Sequence, residues 1–398
     1  MISPSLSPNT DRADVLKAIE VLFAPQMWKE GNAQDEVHRW FRKYLGAGEI
    51  AFFNSGRSAL LAILQAFGIG PGDEVLVQAF TCVAVPNSVL WAGAKPVYVD
   101  IDDSYNMDPK DAEKKITKKT KALIVQHTFG IPAQVDRLLA LAKKHKLMVI
   151  EDCAHALGAT YKGKRLGTLG DASFFSFGRD KVVSSVWGGM GYIKSQNSNL
   201  KSQKELKKYE QSLTYPSIFW IFQQLLHPIA FSLILPLYDV GVGKVLLVLL
   251  QKMKLLSFPV YTEEKSGRQP QEFPKRYPNA LATLLKVQLN KLERYNKKRR
   301  DSARYYSNSL KKPIVPGASY LRYPILVEDP ASVTQKAKKQ GILLGNWYHD
   351  TIDPTGVEYE AIGYEVGSSP KAEEAANHIL NLPTNVTEQE ASIILSYV

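Results

Sequence analysis

The sequence predicts an α/β fold, a mostly parallel sheet covered by helices, with a smaller α+β region towards the C-terminal end. Three observations carry this. Between Gly68 and Asp152 short apolar runs alternate with amphipathic segments, strand then loop then helix, the pattern of parallel strands joined by crossover helices. Residues with chemistry stand where strands run out: Glu151-Asp152 after the run Leu147–Ile150, and Ser176 within the run Ala172–Phe177. Ligands of open α/β sheets bind at those carboxyl ends. Finally, 398 residues with 45% hydrophobic composition suffice for two cored domains, or for one domain with a smaller partner. The expected division is a large α/β domain at 1–199, a hydrophobic insertion at 200–269 and a small C-terminal domain at 270–398.

Asp11–Phe23 and Ala33–Leu45 read as amphipathic helices. In the second, Val37, Trp40, Phe41, Tyr44 and Leu45 recur at helical spacing and Gly46 stops the helix. Ile50–Phe53 reads as a buried strand, Asn54-Ser55-Gly56-Arg57 as a turn and Ser58–Phe67 as a helix. A glycine turn feeding a helix N-terminus presents backbone N–H groups and the positive end of the helix dipole. Ser55, Gly56 and Arg57 are therefore candidate anion ligands, a plain strand-to-helix turn being the alternative. Strands follow at Glu74–Gln78, Val97–Val99, Ala122–Gln126 and Leu147–Ile150, with helices at Pro86–Trp91, Pro109–Ile116 and Val135–His145.

The stretch 200–269 contains two strongly apolar runs, Ile218–Leu237 and Val240–Leu250, with lysines on both flanks. The first is about long enough to span a bilayer, yet Gln223, Gln224, His227 and Pro228 lie near its middle, which a spanning helix disfavours. An in-plane interfacial attachment or a re-entrant hairpin is the preferred expectation; packing on a sister subunit or on the domain itself is the alternative. Beyond it, Asn279–Leu310 reads as one long basic helix, Tyr320–Val327 as a strand, and Ser332–Lys339 and Lys371–Leu380 as helices.

The net charge of +11 is spread over helix faces and loops, as at Lys114, Lys115, Lys118 and Lys119, with no nucleic-acid motif among them. These runs read as solvated faces, and no nucleic acid is expected as partner. Cys82 and Cys153 both fall in expected core elements, which fits a reducing compartment and not a disulfide scaffold. Polar residues follow Met1 without an apolar leader, so the expected location is the cytoplasm, at the inner membrane face if the insertion attaches there.

Lys181 stands five residues beyond Ser176 among Gly, Ser and aromatic neighbours, a candidate for Schiff-base chemistry. That chemistry asks the protein for an amine to hold an aldehyde cofactor, a carboxylate to keep its pyridine nitrogen protonated, and donors for its phosphate. Lys181, Asp152 and Ser176 supply the three. His155 follows Asp152 at helical spacing and is expected to share a helix face with it. A metal-dependent enzyme using His127, Asp152, His155 and a cysteine has suitable ligand types; no compact ligand spacing supports it, and it leaves Ser176 and Lys181 unexplained.

The ordered set of these residues resembles the DegT/DnrJ/EryC1/StrS family of pyridoxal-phosphate sugar aminotransferases. Glu151–Ala159 matches E-D-A-A-H/Q-x-x-G-A, Gly170-Asp171 the later G-D, Ser176–Lys181 the S-F-x-x-x-K, and Gly188-Gly189 the late G-G. Asn54–Arg57, Ala79–Val83, Gly93–Asp100, Val125–Gly130, Gln288–Arg300 and Ser369–Glu373 resemble further family blocks, so the likeness runs from about Trp28 to about Pro383 apart from the insertion.

The resemblance implies aminotransferase fold type I, with pyridoxal 5'-phosphate as cofactor and no metal. It implies Lys181 as the cofactor lysine and proton shuttle, Asp152 at the pyridine nitrogen and His155 near the phenolic oxygen. It places Ser55, Gly56, Arg57 and Ser176 at the phosphate, and Cys82 where an aromatic usually covers the ring. The implied reaction is transamination of a nucleotide-linked keto-sugar from glutamate or glutamine, in a homodimer with active sites near the subunit boundary. The chain departs from the pattern at Arg57 (for threonine), Cys82, Trp187 (for glutamate) and Pro274, which falls on an asparagine that reaches the partner subunit's cofactor phosphate; Arg57 is expected to stand in for it. The departures at Cys82, Trp187 and Pro274 support the alternative of a non-catalytic, membrane-attached scaffold on the same fold.

Overall fold

The computed structural model describes residues 2–4, 7–196, 199–238 and 241–398. Seven strands form the main sheet: β1 (Gly48–Phe53), β2 (Glu74–Gln78), β3 (Lys95–Val99), β4 (Thr120–Gln126), β5 (Met148–Asp152), β6 (Ala172–Ser176) and β7 (Gly189–Lys194). Their order is β1-β7-β6-β5-β4-β2-β3. Pairing is parallel from β6 across to β3 and antiparallel on both sides of β7. Successive side chains of a strand face opposite ways, and the burial obeys this: Val75, Val77 and Ile124 join one core with Ala59 and Ile63, while Leu76, Leu123 and Val125 join another with Leu138 and Leu141. Both faces are covered, so the strands read as continuous apolar runs. The carboxyl ends of β1, β2, β4, β5 and β6 consequently share one edge.

The helices begin with α1 (Arg12–Leu22), α2 (Asn32–Leu45), α3 (Gly56–Ala66), α4 (Ala84–Trp91), α5 (Pro109–Lys115) and α6 (Val135–His145). Helix α3 starts two residues before the expected Ser58, because Ser55 caps it by accepting a hydrogen bond from the Ser58 N–H.

Three helices follow: α7 (Leu200–Ser212), α8 (Ile218–Ile234) and α9 (Val242–Lys252). The first apolar run folds onto the body of the protein. Trp220, Ile221, Leu225 and Phe231 are buried, with α8 lying against α1. Its mid-run polar side chains find partners inside the protein: Gln224 donates to the Trp220 carbonyl (2.8 Å) and accepts from Ser257 Oγ (2.8 Å), and His227 Nε2 bonds Ser7 Oγ (2.9 Å), its buried Nδ1 alone being left without one. The same groups that disfavoured a span are the polar seams of a packed helix. Among the described residues no helix is long and apolar enough to cross a membrane. The second run behaves differently. Helix α9 packs Leu246, Leu247 and Leu250 against α8 while Val242, Val245, Val248, Leu249 and Met253 stay exposed. Leu225 is fully buried, so Leu225→Ala is expected to lower unfolding free energy by about 3 kcal/mol, read by urea denaturation; an unchanged midpoint would show that α8 is not a core element.

The expected long helix is two, α10 (Asn279–Leu289) and α11 (Leu292–Ser309). The break at Asn290-Lys291 lets Leu289 and Leu292 both enter the core and turns Lys291 towards α1, where its Nζ lies 2.8 Å from Asp14 Oδ2. A second correction follows in α13 (Pro370–His378; α12 is Pro330–Lys338), which stops short of Leu380. Ile379–Leu382 leaves the helix as a strand paired antiparallel with Tyr323–Leu326, cross-strand bonding overriding the helical pattern. That partner strand begins at Tyr323, not Tyr320, whose φ of 50° bends the chain out of the extended state.

Candidate active site

Side chains from the strand ends converge on a cavity of about 420 Å³ lined by Ser55, Gly56, Thr81, Gln126, Asp152 and Ser176, with Lys181 and His155 among its walls. Strand alternation separates the two adjacent carboxylates. Asp152 faces the cavity, and its Oδ1 accepts the Ala154 N–H at 2.9 Å. Burial pushes its pKa up to about 6, against the opposing pull of the Ala154 N–H and of Lys181 and His127. Glu151 faces away and ties the following loop, accepting N–H bonds from Gly167, Leu169 and Gly170 at 2.9, 2.7 and 2.8 Å. Burial pushes its pKa up, but His127 and those backbone donors more than offset this and leave it lowered. Glu151 is thus a structural anion that fixes where Asp152 points.

His155 lies in a turn, not on the expected helix, and still reaches the site. Its Nδ1 accepts the Phe129 N–H at 3.2 Å, which leaves the proton of the neutral ring on Nε2, 3.0 Å from Lys181 Nζ. Burial, Lys181 and Arg322 hold His155 well below the usual histidine pKa, so the neutral form persists. Above the amine sits Trp347, an indole from the C-terminal region: Lys181 Nζ is 4.4 Å from its centroid, His155 stacks on it at 5.1 Å, and Arg322 lies against it at 3.4 Å. Asn381 fixes this ring by bonding both the N–H and the C=O of Trp347.

Ser55 and Gly56 form the N-terminus of α3, whose first N–H groups have no partner within the helix. A Cβ at Gly56 would come 2.9 Å from that of Ser176, so only glycine leaves the strand-end serine and the helix N-terminus this close. Gly56→Ala is expected to weaken phosphate-dependent cofactor binding about tenfold or more, measured by titrating pyridoxal phosphate; unchanged affinity would place the phosphate elsewhere. Arg57 lines the same cavity, but its guanidinium pairs with buried Glu264, bonds the Pro259 carbonyl at 2.9 Å and lies between Trp187 and Phe273. Trp187, where a glutamate was expected, packs against Trp220 of α8 and donates to Ser257 Oγ at 3.2 Å. Cys82 also lines the cavity as a free, half-buried thiol, its pKa pushed up to about 11 by burial.

Sequence reading missed Arg179, Lys265, Trp347, Tyr348 and the segment Phe258–Val260, all of which line the cavity. Arg179 stood at a variable position between Ser176 and Lys181; the others reach the site only through long-range folding. Among the described residues the one potential metal-ligand cluster is His127, Glu151 and Cys153. There His127 Nδ1 accepts the Ala133 N–H and its Nε2 donates to Glu151 Oε2 at 3.2 Å, so these groups satisfy one another. Asp152 and His155 of the metal-dependent alternative are not part of it.

A lysine on the loop beyond β6, a buried aspartate lining the same cavity and an anion cradle at a helix N-terminus together define a site for a pyridoxal-phosphate enzyme of fold type I. The family model of the DegT/DnrJ/EryC1/StrS aminotransferase family matches residues 9–209 and 252–395, and the chain belongs to that family. It is 42% identical over 172 residues to GDP-perosamine synthase of Caulobacter vibrioides, covering 43% of this chain and 46% of that protein. It is 30% identical over 341 residues to the Pleiotropic regulatory protein of Geobacillus stearothermophilus, covering 83% and 78%. The chain thus spans about half the length of the first of these relatives and most of the second. Among solved structures, the aminotransferase from Psychrobacter cryohalolentis shares the fold at a TM-score of 0.73, with 22% identity over 100% of this chain and 98% of that one.

Pyridoxal phosphate is the family's cofactor, and the residues here fit it: an amine at Lys181, an acid of raised pKa at Asp152, and a cradle at Gly56 and Ser176 that a Cβ would fill.

Proposed function

We propose that this chain transfers an amino group from glutamate or glutamine to a keto-sugar carried on a diphosphate. The observation that carries this is Lys181 Nζ held 3.0 Å from the protonated Nε2 of His155 in a cavity that Asp152 also lines. The names of relatives such as GDP-perosamine synthase support a nucleotide-linked sugar as the acceptor. When bound, the cofactor supplies an electron sink. Lys181 holds it and then moves the proton at the donor's α-carbon. Asp152 keeps a cationic ring nitrogen paired, His155 donates from Nε2, and Ser55, Gly56 and Ser176 bind the phosphate. Arg57, committed to Glu264, contributes to that anion site through its backbone position at the start of α3. The test is direct: purified protein is yellow, loses the colour on borohydride treatment, and changes its spectrum on adding glutamate or glutamine. A colourless protein that takes up no pyridoxal phosphate would leave the scaffold reading.

The same reading includes a homodimer. Sedimentation at low micromolar concentration is expected to show a dimer; a stable monomer of full activity would refute it. Peripheral attachment to the cytoplasmic membrane face also belongs to it, supported by the exposed apolar stripe of α9, with Lys244, Lys252 and Lys254 exposed beside it.

A further inference from the structure

Four rings around Lys181 lie nearly parallel. His155 makes an angle of 9° with Phe129 and 11° with Trp347, and Trp347 makes 8° with Tyr348. Phe129, His155 and Tyr348 are buried, and Phe129 and Tyr348 both meet the ring of Phe80 edge-on, with centroids at 6.2 and 5.4 Å. Trp347 differs from them in being half-buried. It lines the cavity, and Lys181 Nζ lies 4.4 Å from its centroid.

The indole is fixed in place before any ligand enters. Arg322, fully buried, lies 3.4 Å from its centroid and donates to Asn381 Oδ1 at 3.3 Å, with Asp180 Oδ2 at 3.5 Å. The same Asn381 accepts the Trp347 N–H at 2.9 Å and donates to its carbonyl at 2.7 Å. Further along, Ile352–Asp353 pairs in parallel with Thr81–Cys82. The Thr81 N–H donates to the Thr351 carbonyl at 3.0 Å and the Val83 N–H to the Asp353 carbonyl at 2.8 Å. The segment that begins at Trp347 is thus tied to the residues on either side of Cys82. Both side chains line one cavity, and they differ in what they offer a flat ligand: a thiol has little surface, an indole has a broad apolar face that stacks on aromatic rings.

We infer that Trp347 is the aromatic cover of the cofactor ring, a contact that Cys82 is too small to make. The cofactor's aldehyde carbon is a substituent of its pyridine ring, and that carbon bonds Lys181 Nζ, the carbonyl oxygen and the two amine hydrogens leaving as water. The ring is therefore one atom removed from a nitrogen that already lies against the indole. Trp347 comes from the C-terminal region and Cys82 from the loop after β2, so the ring is covered from a different part of the chain. The inference rests on pyridoxal phosphate as cofactor, within the transaminase reading, and not on which sugar is the acceptor.

The test titrates the full chain, stripped of cofactor, with pyridoxal phosphate, read by the visible absorbance of the Lys181 chromophore. Inorganic phosphate serves as a competitor that probes the phosphate cradle alone. Trp347→Ala is expected to bind pyridoxal phosphate about tenfold or more weakly than wild type, with the inhibition constant of inorganic phosphate unchanged, because Ser55, Gly56 and Ser176 are untouched. Trp347→Phe, which keeps a flat ring at the same position, is expected to stay within about threefold of wild type. Pyridoxal phosphate bound by Trp347→Ala as tightly as by wild type overturns the inference and leaves the indole to the substrates. A phenylalanine variant as weak as the alanine variant overturns it too, since a stacking contact survives that exchange. So does an equal loss of affinity for inorganic phosphate, which marks a cavity that has lost its shape. Failure of the transaminase reading is recognised separately, before any variant is made, by wild type that takes up no pyridoxal phosphate.

Discussion

Lys181→Ala is expected to abolish amino transfer, with a loss of at least roughly 10³-fold in the rate of the glutamate half-reaction, and to leave a protein that borohydride no longer bleaches. Two losses coincide in one substitution: the amine that holds the cofactor and the base that moves the proton. The fold is expected to survive, because Lys181 is only partly buried and its Nζ touches His155 and the face of Trp347, neither of which depends on it for packing. Trp347 stays anchored by Asn381, and His155 by the Phe129 N–H. Circular dichroism and the urea midpoint are therefore expected to stay close to wild type while the half-reaction disappears. Turnover persisting at the wild-type level would remove Lys181 from the chemistry and the transaminase reading with it.

What the sequence made legible was local. Parallel strands covered on both faces are continuous apolar runs, so the strands that frame the site, β2, β4, β5 and β6, could be read within a residue or two, and with them the strand-end positions of Asp152 and Ser176. The capping role of Ser55 follows from the same turn that marked the anion site. His155 shows a right neighbour found for a wrong reason. Its spacing from Asp152 suggested a shared helix face, and the chain brings the two together through a tight turn instead.

Contacts between residues far apart in the chain were not legible. Arg57 meets Glu264, a partner supplied by the segment after α9, and no local pattern predicts that pairing. Trp347 reaches Lys181 and His155 because Asn381, on a strand whose first two residues fell in an expected helix, holds its backbone. The first apolar run misled for a related reason: hydropathy reports how apolar a helix is, and α1 and the segment after α9 decide what it packs against. Helix α8 met those partners within the chain; the outer face of α9 met none among the described residues, which is why only the second run still argues for a surface outside the protein.

Asp152→Asn is expected to have opposite effects on chemistry and on the stability of the cofactor-free protein. The carboxyl is 5% exposed, and burial raises its folded pKa from 3.8 to about 6. A folded pKa above the unfolded one means that the folded state holds the proton more tightly. The favourable contribution is therefore complete below about pH 4 and is lost as pH rises through about 6. At neutral pH the cofactor-free protein carries a buried carboxylate whose cost relative to the protonated acid is on the order of 3 kcal/mol. An amide removes that charge and can keep the bond from the Ala154 N–H. Cofactor-free Asp152→Asn is thus expected to unfold at higher urea than wild type at pH 8, with the advantage vanishing towards pH 4. With cofactor bound the sign reverses, because a neutral amide cannot hold the ring nitrogen protonated and the electron sink weakens. Pyridoxal phosphate is expected to remain bound through Ser176 and the α3 N-terminus while the half-reaction slows by roughly 10²–10³-fold. The two readouts are independent: a half-reaction within a few fold of wild type would place the ring nitrogen away from Asp152, whatever the urea curves show, and equal urea midpoints at pH 8 would mean that the carboxylate is solvated in the cofactor-free cavity.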